Sequence, residues 1–346
     1  MVDRADMEQR VRRHVADVIR GCSYEHIEAV DRFRKGDDHV VFKVSYTEPD
    51  GIRSAVVVRV GAVGETHDCS RAEREARILR MLDGHGAPRL LHFTCASHWL
   101  DTPTMCISYV PGDSKPFAGL DASHVEMLGR ALAQVHLTDV SAIGALLGET
   151  VSASAYLAER LATAVTARLD AAKEGLPTQV VGRITDAYRY VKDLVETAPA
   201  NTAEAWDGAS LALLHGDPGE ANVLWSPGPV LIDWEYARLG DPADEIAYTF
   251  MDNRLDRPQR DALLRGYRAF SADATSRPIE ARIKTWGPVN LLGSAMWWIE
   301  RYLMVRTADQ AAGKKYSSRR PADQYLRGAL DRLDRFEPLF NAARKR

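Results

Sequence analysis

The chain has 346 residues, of which 45% are hydrophobic and 27% charged, with a formal net charge of −3 and a pI near 6.4. Such a composition excludes a disordered or collagen-like polymer and lacks the strong basic excess expected of a general nucleic-acid binder. The length exceeds what one small core organises and suits two lobes.

The N-terminal stretch MVDRADMEQRVRRHVADVIRG is charged throughout and has no apolar core segment, so no signal peptide is expected. Residues 5–20 place Met7, Val11, Val15, Val18 and Ile19 at helical spacing, which predicts an amphipathic helix. From about 27 to 60 the pattern is that of strands: HVVFKVSY and SAVVVRV are β-branched runs joined by the turn chemistry of TEPDGIR. The polar loop RKGDD, with a single glycine, precedes the first of these runs. In SRAEREARILRML, Ser70 and Glu73 have capping-box spacing, so a helix is predicted from Ser70. PRLLHFTCASHW and TPTMCISYV read as two further strands, and VPGDSKP marks a lobe boundary.

Beyond residue 120 helices dominate. ASHVEMLGRALAQVHL puts Val125, Leu128, Leu132 and Val135 on one stripe, and 152–172 and 181–196 are further helical segments. The tail from about 306 gathers Lys and Arg, including KKYSSRR, and is read as solvated surface. No run of about 18 apolar residues occurs, so neither a membrane span nor a membrane partner is expected. The four cysteines, Cys22, Cys69, Cys95 and Cys106, form no CxxC pair and read as reduced thiols of a cytoplasmic protein.

The stretch HGDPGEANVLWSPGPVLIDW, residues 215–234, concentrates oxygen-bearing side chains beside short apolar runs. A hairpin with Ser-Pro-Gly-Pro as a four-residue loop sets Trp225 against Val230, Leu224 against Leu231 and Val223 against Ile232. Asn222 then opposes Asp233, and directly opposed Cβ atoms lie about 4.5–5.5 Å apart. An amide oxygen and a carboxylate at that separation can share one hard cation, and Mg²⁺ suits them. Asp217, in a Pro-Gly loop five residues before Asn222, is a second carboxylate that can orient a hydroxyl. A metal pair with an additional carboxylate is the layout that phosphoryl transfer needs.

HGDPGEAN together with LIDWEYARLGDPADEIA resembles the aminoglycoside phosphotransferase family, which shares a bilobal fold with protein kinases and choline kinases. The resemblance implies an α+β, protein-kinase-like fold. It has a small antiparallel-sheet lobe over 1–107, a hinge over 108–112, and a larger, mostly helical lobe over 113–346 that holds the catalytic loop, metal site and acceptor site. It implies ATP or GTP as the nucleotide, with Mg²⁺. Asp217 resembles the catalytic Asp, Asn222 and Asp233 the metal ligands, and His215 a residue that supports the loop. Asp241 resembles a structural acid. RKGDDHVVFKV, with Gly36, Asp37, Asp38 and His39, resembles the loop over the nucleotide phosphates. Arg59 stands where a protein kinase has its phosphate-binding Lys. Glu75 shares a helix face with Leu79 and Leu82, so it points to the packed side and calls for a cation. Arg59 is its natural partner and Lys43 the competitor. MCISYVPG resembles the hinge, with adenine expected at backbone groups of Ser108, Tyr109 and Val110. His136 reads as a satisfied core histidine.

Only seven residues separate Asp233 from Asp241, which leaves no room for the long activation loop of a protein kinase. A small-molecule hydroxyl acceptor is therefore expected, for a protein that is a monomer or homodimer without a nucleic-acid partner. Hydroxyl-bearing antibiotics of aminoglycoside-like, macrolide or nucleoside type lead. The alternatives are a metabolic kinase of choline, homoserine or sugar type and a non-catalytic nucleotide-binding regulator. A polycationic acceptor would need carboxylates, for which Asp241, Glu245 and Glu300 are candidates. Trp298 is the candidate for ring stacking.

Overall fold

Two β-branched runs form the centre of an antiparallel sheet. The computed structural model describes residues 4–33, 39–61, 69–141, 143–147, 151–270, 279–312 and 320–343. Gly36, Asp37, Asp38 and all of KKYSSRR except Arg320 lie outside the described residues. Strands β1 (Ile27–Arg32), β2 (His39–Thr47), β3 (Arg53–Gly61), β4 (Leu90–Thr94) and β5 (Thr104–Ser108) stand in the order β1-β2-β3-β5-β4. Successive side chains point to opposite faces of a strand. Phe42, Val44 and Tyr46 of β2 and Val56, Val58 and Val60 of β3 thus enter one core with Val11, Val15 and Ile19 of helix α1 (Arg4–Val18). The same alternation sends Arg59 to the other face, in register with Val41 and Met105.

Helix α2 (Ser70–Leu82) begins where the sequence placed it and buries Glu75, Ala76, Ile78, Leu79 and Leu82. The capping box does not form, because the N-cap is Cys69, whose side chain makes no cap hydrogen bond. Cys69 is instead disulfide-bonded to Cys95, just past β4. The expectation of four reduced thiols is corrected accordingly. Cys22 and Cys106 are the free cysteines, both buried, and burial pushes the Cys106 thiol up to about 12.

The chain divides into two compact units, residues 1–115 with 221–237 and residues 116–220 with 238–346. The first unit includes a second sheet of β6 (Asp113–Ser114), β8 (Val223–Ser226) and β9 (Gly228–Leu231), in the order β6-β8-β9. The expected helical lobe over 113–346 includes this hairpin, which counts with the first unit. Close approach requires Gly112, because a Cβ there would lie 2.5 Å from the Trp225 carbonyl oxygen.

The second unit is mostly helical. It contains α3 (Ala122–His136), α4 (Gly144–Leu147), α5 (Ala153–Ala164), α6 (Leu169–Gly175), α7 (Thr178–Asn201), α8 (Ala203–Trp206), α9 (Pro242–Asp252), α10 (Arg257–Phe270), α11 (Ile279–Ala312) and α12 (Ala322–Ala343). Its short strands β7 (Ala212–Leu214) and β10 (Arg238–Gly240) pair antiparallel. The predicted stripe of α3 is buried in full. The segment expected as one helix over 152–172 breaks into α5, a 3₁₀ turn at Thr166–Arg168 and α6. Helices α3 and α10 pack at two glycines, since a Cβ on Gly129 or Gly266 would overlap a backbone carbonyl of the other helix. Among the described residues, no helix is long and apolar enough to cross a membrane.

Candidate active site

Glu75 organises the site residues of the first unit. Its Oε1 accepts from Arg59 Nη1 at 2.5 Å and from the Trp234 backbone N–H at 3.1 Å. The second arm of the Arg59 guanidinium donates from Nη2 to Asp233 Oδ1 at 3.0 Å. One α2 carboxylate therefore ties the β3 arginine to the turn that carries Asp233. Burial by itself would lower the Arg59 pKa, but Glu75 and Asp233 outweigh it and hold the guanidinium above its ordinary value. Lys43, the competing cation, rests its ammonium 4.1 Å from the centre of the Tyr109 ring.

The hairpin exists, but its register differs by one residue from the expected one. Val223 faces Leu231, Leu224 faces Val230, Trp225 faces Pro229 and Ser226 faces Gly228. The turn is tighter than four residues because β9 begins at Gly228. Asn222 consequently stands opposite Ile232, whose N–H donates to the Asn222 carbonyl at 2.9 Å. Asn222 closes a 3₁₀ turn, Glu220–Asn222. Asp233 lies one step beyond the ladder in a left-handed conformation, φ 67° and ψ 68°, which Asp tolerates better than most residues. Its side chain is 40% exposed.

At the expected hinge, the Ser108 N–H donates to the Arg89 carbonyl at 2.9 Å and the Tyr109 N–H to the Ala55 carbonyl at 3.3 Å. These two donors are engaged within the first unit, and Val110 is half-buried. His39 opens β2 opposite Gly61.

In the second unit, helix α9 holds the loop that carries Asp217. Glu245 Oε1 accepts from the Gly216 N–H at 2.6 Å, and Glu245 Oε2 lies 2.9 Å from His136 Nε2. Both side chains are buried. Burial alone would raise the Glu245 pKa, but the hydrogen bond and charge of His136, with His215 and the Gly216 N–H, bring it below the ordinary carboxylate range. Tyr248 OH donates to Asp217 Oδ1 at 2.6 Å. Asn253 donates from Nδ2 to the Pro218 carbonyl at 3.3 Å, and its Oδ1 accepts from the Glu220 N–H at 3.1 Å. His215 is fully buried, and its Nδ1 accepts from the Asp217 N–H at 3.2 Å.

The residues expected to meet an acceptor make internal contacts of different kinds. Asp241 is fully buried: it caps α9 through the Ala243 N–H and accepts from Arg282 Nε at 2.9 Å and Trp286 Nε1 at 2.8 Å. Glu245 is occupied by His136 and Gly216, as described. Glu300 is exposed and pairs with Arg168 at 2.9 Å. Trp298 is half-buried and packs against Tyr325, with the Arg332 guanidinium 4.8 Å from its ring centre. Asp244 belongs to a network with Arg238 and Tyr156. Sequence reasoning missed Tyr248 and Asn253. Their signal was positional only, at three and eight residues after Glu245.

A sheet-rich unit bearing the Arg59–Glu75–Asp233 cluster and a helical unit bearing a His-Gly-Asp loop make up an α+β fold of the protein-kinase-like class. A macrolide 2'-phosphotransferase from Brachybacterium faecium is similar in structure, with a TM-score of 0.58 and 19% identity over 94% of this chain and 97% of that one. In sequence, Protein StrN of Streptomyces griseus is 29% identical over 153 residues, which is 42% of this chain and 48% of StrN. A thiamine kinase of Salmonella newport is 38% identical over 93 residues, 27% of this chain and 32% of the kinase. The match thus spans about half of StrN and about a third of the thiamine kinase. The phosphotransferase enzyme family matches residues 30–279, well over half of the chain, and the protein belongs to that family.

Proposed function

We propose that the protein transfers the γ-phosphoryl group of ATP or GTP to a hydroxyl of a small molecule. The observation that carries this reading is the Glu75 carboxylate, which ties the buried Arg59 to the turn of the partly exposed Asp233. Arg59 steadies the nucleotide phosphates as a fork of donors. Asp217, half-buried and held through one oxygen by Tyr248, orients the acceptor hydroxyl and receives its proton. The new acceptor O–P bond forms as the bond from γ-phosphorus to the β,γ-bridging oxygen breaks, and the nucleoside diphosphate leaves.

The donor set fits Mg²⁺. Asn222 and Asp233 offer oxygen ligands, and Asp233 is partly exposed with its Oδ1 on Arg59. Mg²⁺ needs only one or two protein ligands when phosphates complete its shell. When bound, it supplies neutralisation of phosphate charge.

The acceptor we favour is a hydroxyl-bearing antibiotic that is neutral or weakly charged, such as a macrolide or nucleoside. The acids suited to a polycation are engaged by His136, Arg168, Arg238 and Arg282. A metabolic small-molecule kinase is the second reading, favoured by the match to thiamine kinase. The test is phosphoryl transfer from Mg-ATP and Mg-GTP to a panel of macrolides, nucleoside antibiotics, aminoglycosides, thiamine and choline, read by mass spectrometry. One acceptor should gain a phosphoryl group, and Asp217→Asn should abolish the gain while nucleotide binding persists. Unaltered turnover in Asp217→Asn would overturn the assignment of Asp217.

A further inference from the structure

Four contacts fasten α9 and the residue after it to the loop from Gly216 to Glu220. Glu245 takes the Gly216 N–H, Tyr248 takes the Asp217 side chain, and Asn253 takes both the Pro218 carbonyl and the Glu220 N–H. Glu245 and Tyr248 are three residues apart and so share one face of the helix. Only the Tyr248 contact reaches the carboxylate itself; the others hold backbone.

We propose that Tyr248 is a positioning residue for phosphoryl transfer, its phenol O–H fixing the Asp217 carboxylate in the orientation that receives the acceptor proton. This inference rests on the role proposed for Asp217. The 2.6 Å separation is that of a charge-assisted O–H···O⁻ bond. A carboxylate oxygen can accept one such bond and keep lone pairs for a second partner. Tyr248 is half-buried and lines, together with Met251, Asn290, Leu291, Arg332 and Arg335, a cavity of about 10 Å³. That is about the volume of a single water probe. Burial, then the charges of Asp217 and Asp252, push the phenol pKa well above its ordinary value, so the group remains a donor at neutral pH.

The inference separates Tyr248 from a merely structural tyrosine by its coupling. A structural tyrosine would affect turnover through global stability, independently of the group at 217. A positioning tyrosine acts only through Asp217, so its loss should cost nothing once Asp217 is gone. The experiment uses the full chain with Mg-ATP and water as the acceptor, following slow release of ADP. Nucleotide binding is measured by calorimetry and folding by thermal denaturation. Tyr248→Phe should lower kcat by about 10- to 100-fold, in line with the cost of misplacing a reacting group by roughly 1 Å. KM for Mg-ATP should stay within about twofold of the wild type. The double variant Tyr248→Phe with Asp217→Asn should be no slower than Asp217→Asn alone. Tyr248→His, which keeps a donor, should recover part of the loss and serves if the Phe variant does not fold. A kcat within about threefold of the wild type in Tyr248→Phe, or multiplicative losses in the double variant, overturns the inference. Unchanged turnover in Asp217→Asn alone would instead remove the underlying role of Asp217, so the two failures are distinguishable.

Discussion

Removing the Glu75 carboxylate is the perturbation with the clearest expected size. Glu75→Ala deletes one buried oxygen that accepts two hydrogen bonds, from Arg59 and from the Trp234 N–H. Hydrogen bonds to charged groups contribute about 1.5–3 kcal/mol each, and breaking a buried ion pair from one side costs about 3–5 kcal/mol. Arg59 keeps Asp233 as a partner at 3.0 Å, and Asp233 is 40% exposed, so the residual charge is partly compensated. That places the loss near the lower end, about 3 kcal/mol. At about 2–4 °C per kcal/mol the melting temperature should fall by roughly 6–12 °C. Because Glu75 also fixes the Asp233 turn, nucleotide affinity should fall alongside stability, whereas Glu75→Gln, which keeps an acceptor oxygen, should lie between the two. The assays are urea unfolding and calorimetric titration with Mg-ATP. A loss below about 1 kcal/mol with unaltered nucleotide affinity would refute the view that this carboxylate couples α2, β3 and the Asp233 turn.

Two further outcomes follow from the first unit. The Cys69–Cys95 bond spans 26 positions, and closing a loop of that length stabilises by about 3–4 kcal/mol in the chain-entropy account. Cys69→Ser with Cys95→Ser should therefore lower stability by up to that amount. Thiol titration of the unfolded, unreduced chain should count only Cys22 and Cys106, and a count of all four thiols would contradict the bond. His14 is 1% exposed and neither ring nitrogen has a hydrogen-bond partner. Burial, then the neighbouring His92, lowers its pKa to about 4 from 6.5, with Asp17 opposing. The unfolded chain thus takes up this proton below about pH 6.5 while the folded chain resists it. The contribution is full above that pH, is lost progressively as pH falls toward about 4, and is flat below. His14→Phe should flatten the fall in melting temperature between about pH 7 and about pH 5; an identical fall in both proteins would remove His14 from the account.

Local patterns were enough to read α1, α2, α3 and the strands around Arg59. Helix and strand periods are set by backbone geometry and are written directly into the spacing of apolar residues. The same alternation put Arg59 on the face opposite Val58 and Val60, and the helical period put Glu75 on the packed side of α2. The hairpin was legible, but its register was not. A tighter turn at Ser226–Gly228 moves every pair by one, and several turn types suit Ser-Pro-Gly-Pro.

Other features belong to the tertiary structure alone. Cys69 and Cys95 become partners only because α2 and β4 pack side by side, and no spacing rule connects positions so far apart. Asp241, Glu245 and Glu300 look alike in sequence as acids open to an acceptor. Their actual commitments, to Arg282, His136 and Arg168, depend on which helix each one meets. Tyr248 was silent for the same reason. A tyrosine on a helix is ordinary core chemistry until the fold brings its hydroxyl to the Asp217 carboxylate, 31 positions earlier in the chain. Sequence by itself determined most of the strands and helices, the family resemblance and the residue types expected at a phosphoryl-transfer site, because these depend on short-range periodicity and motif spacing. The tertiary structure decided the pairing of charges, because a buried ion must find its counter-charge in space and not along the chain.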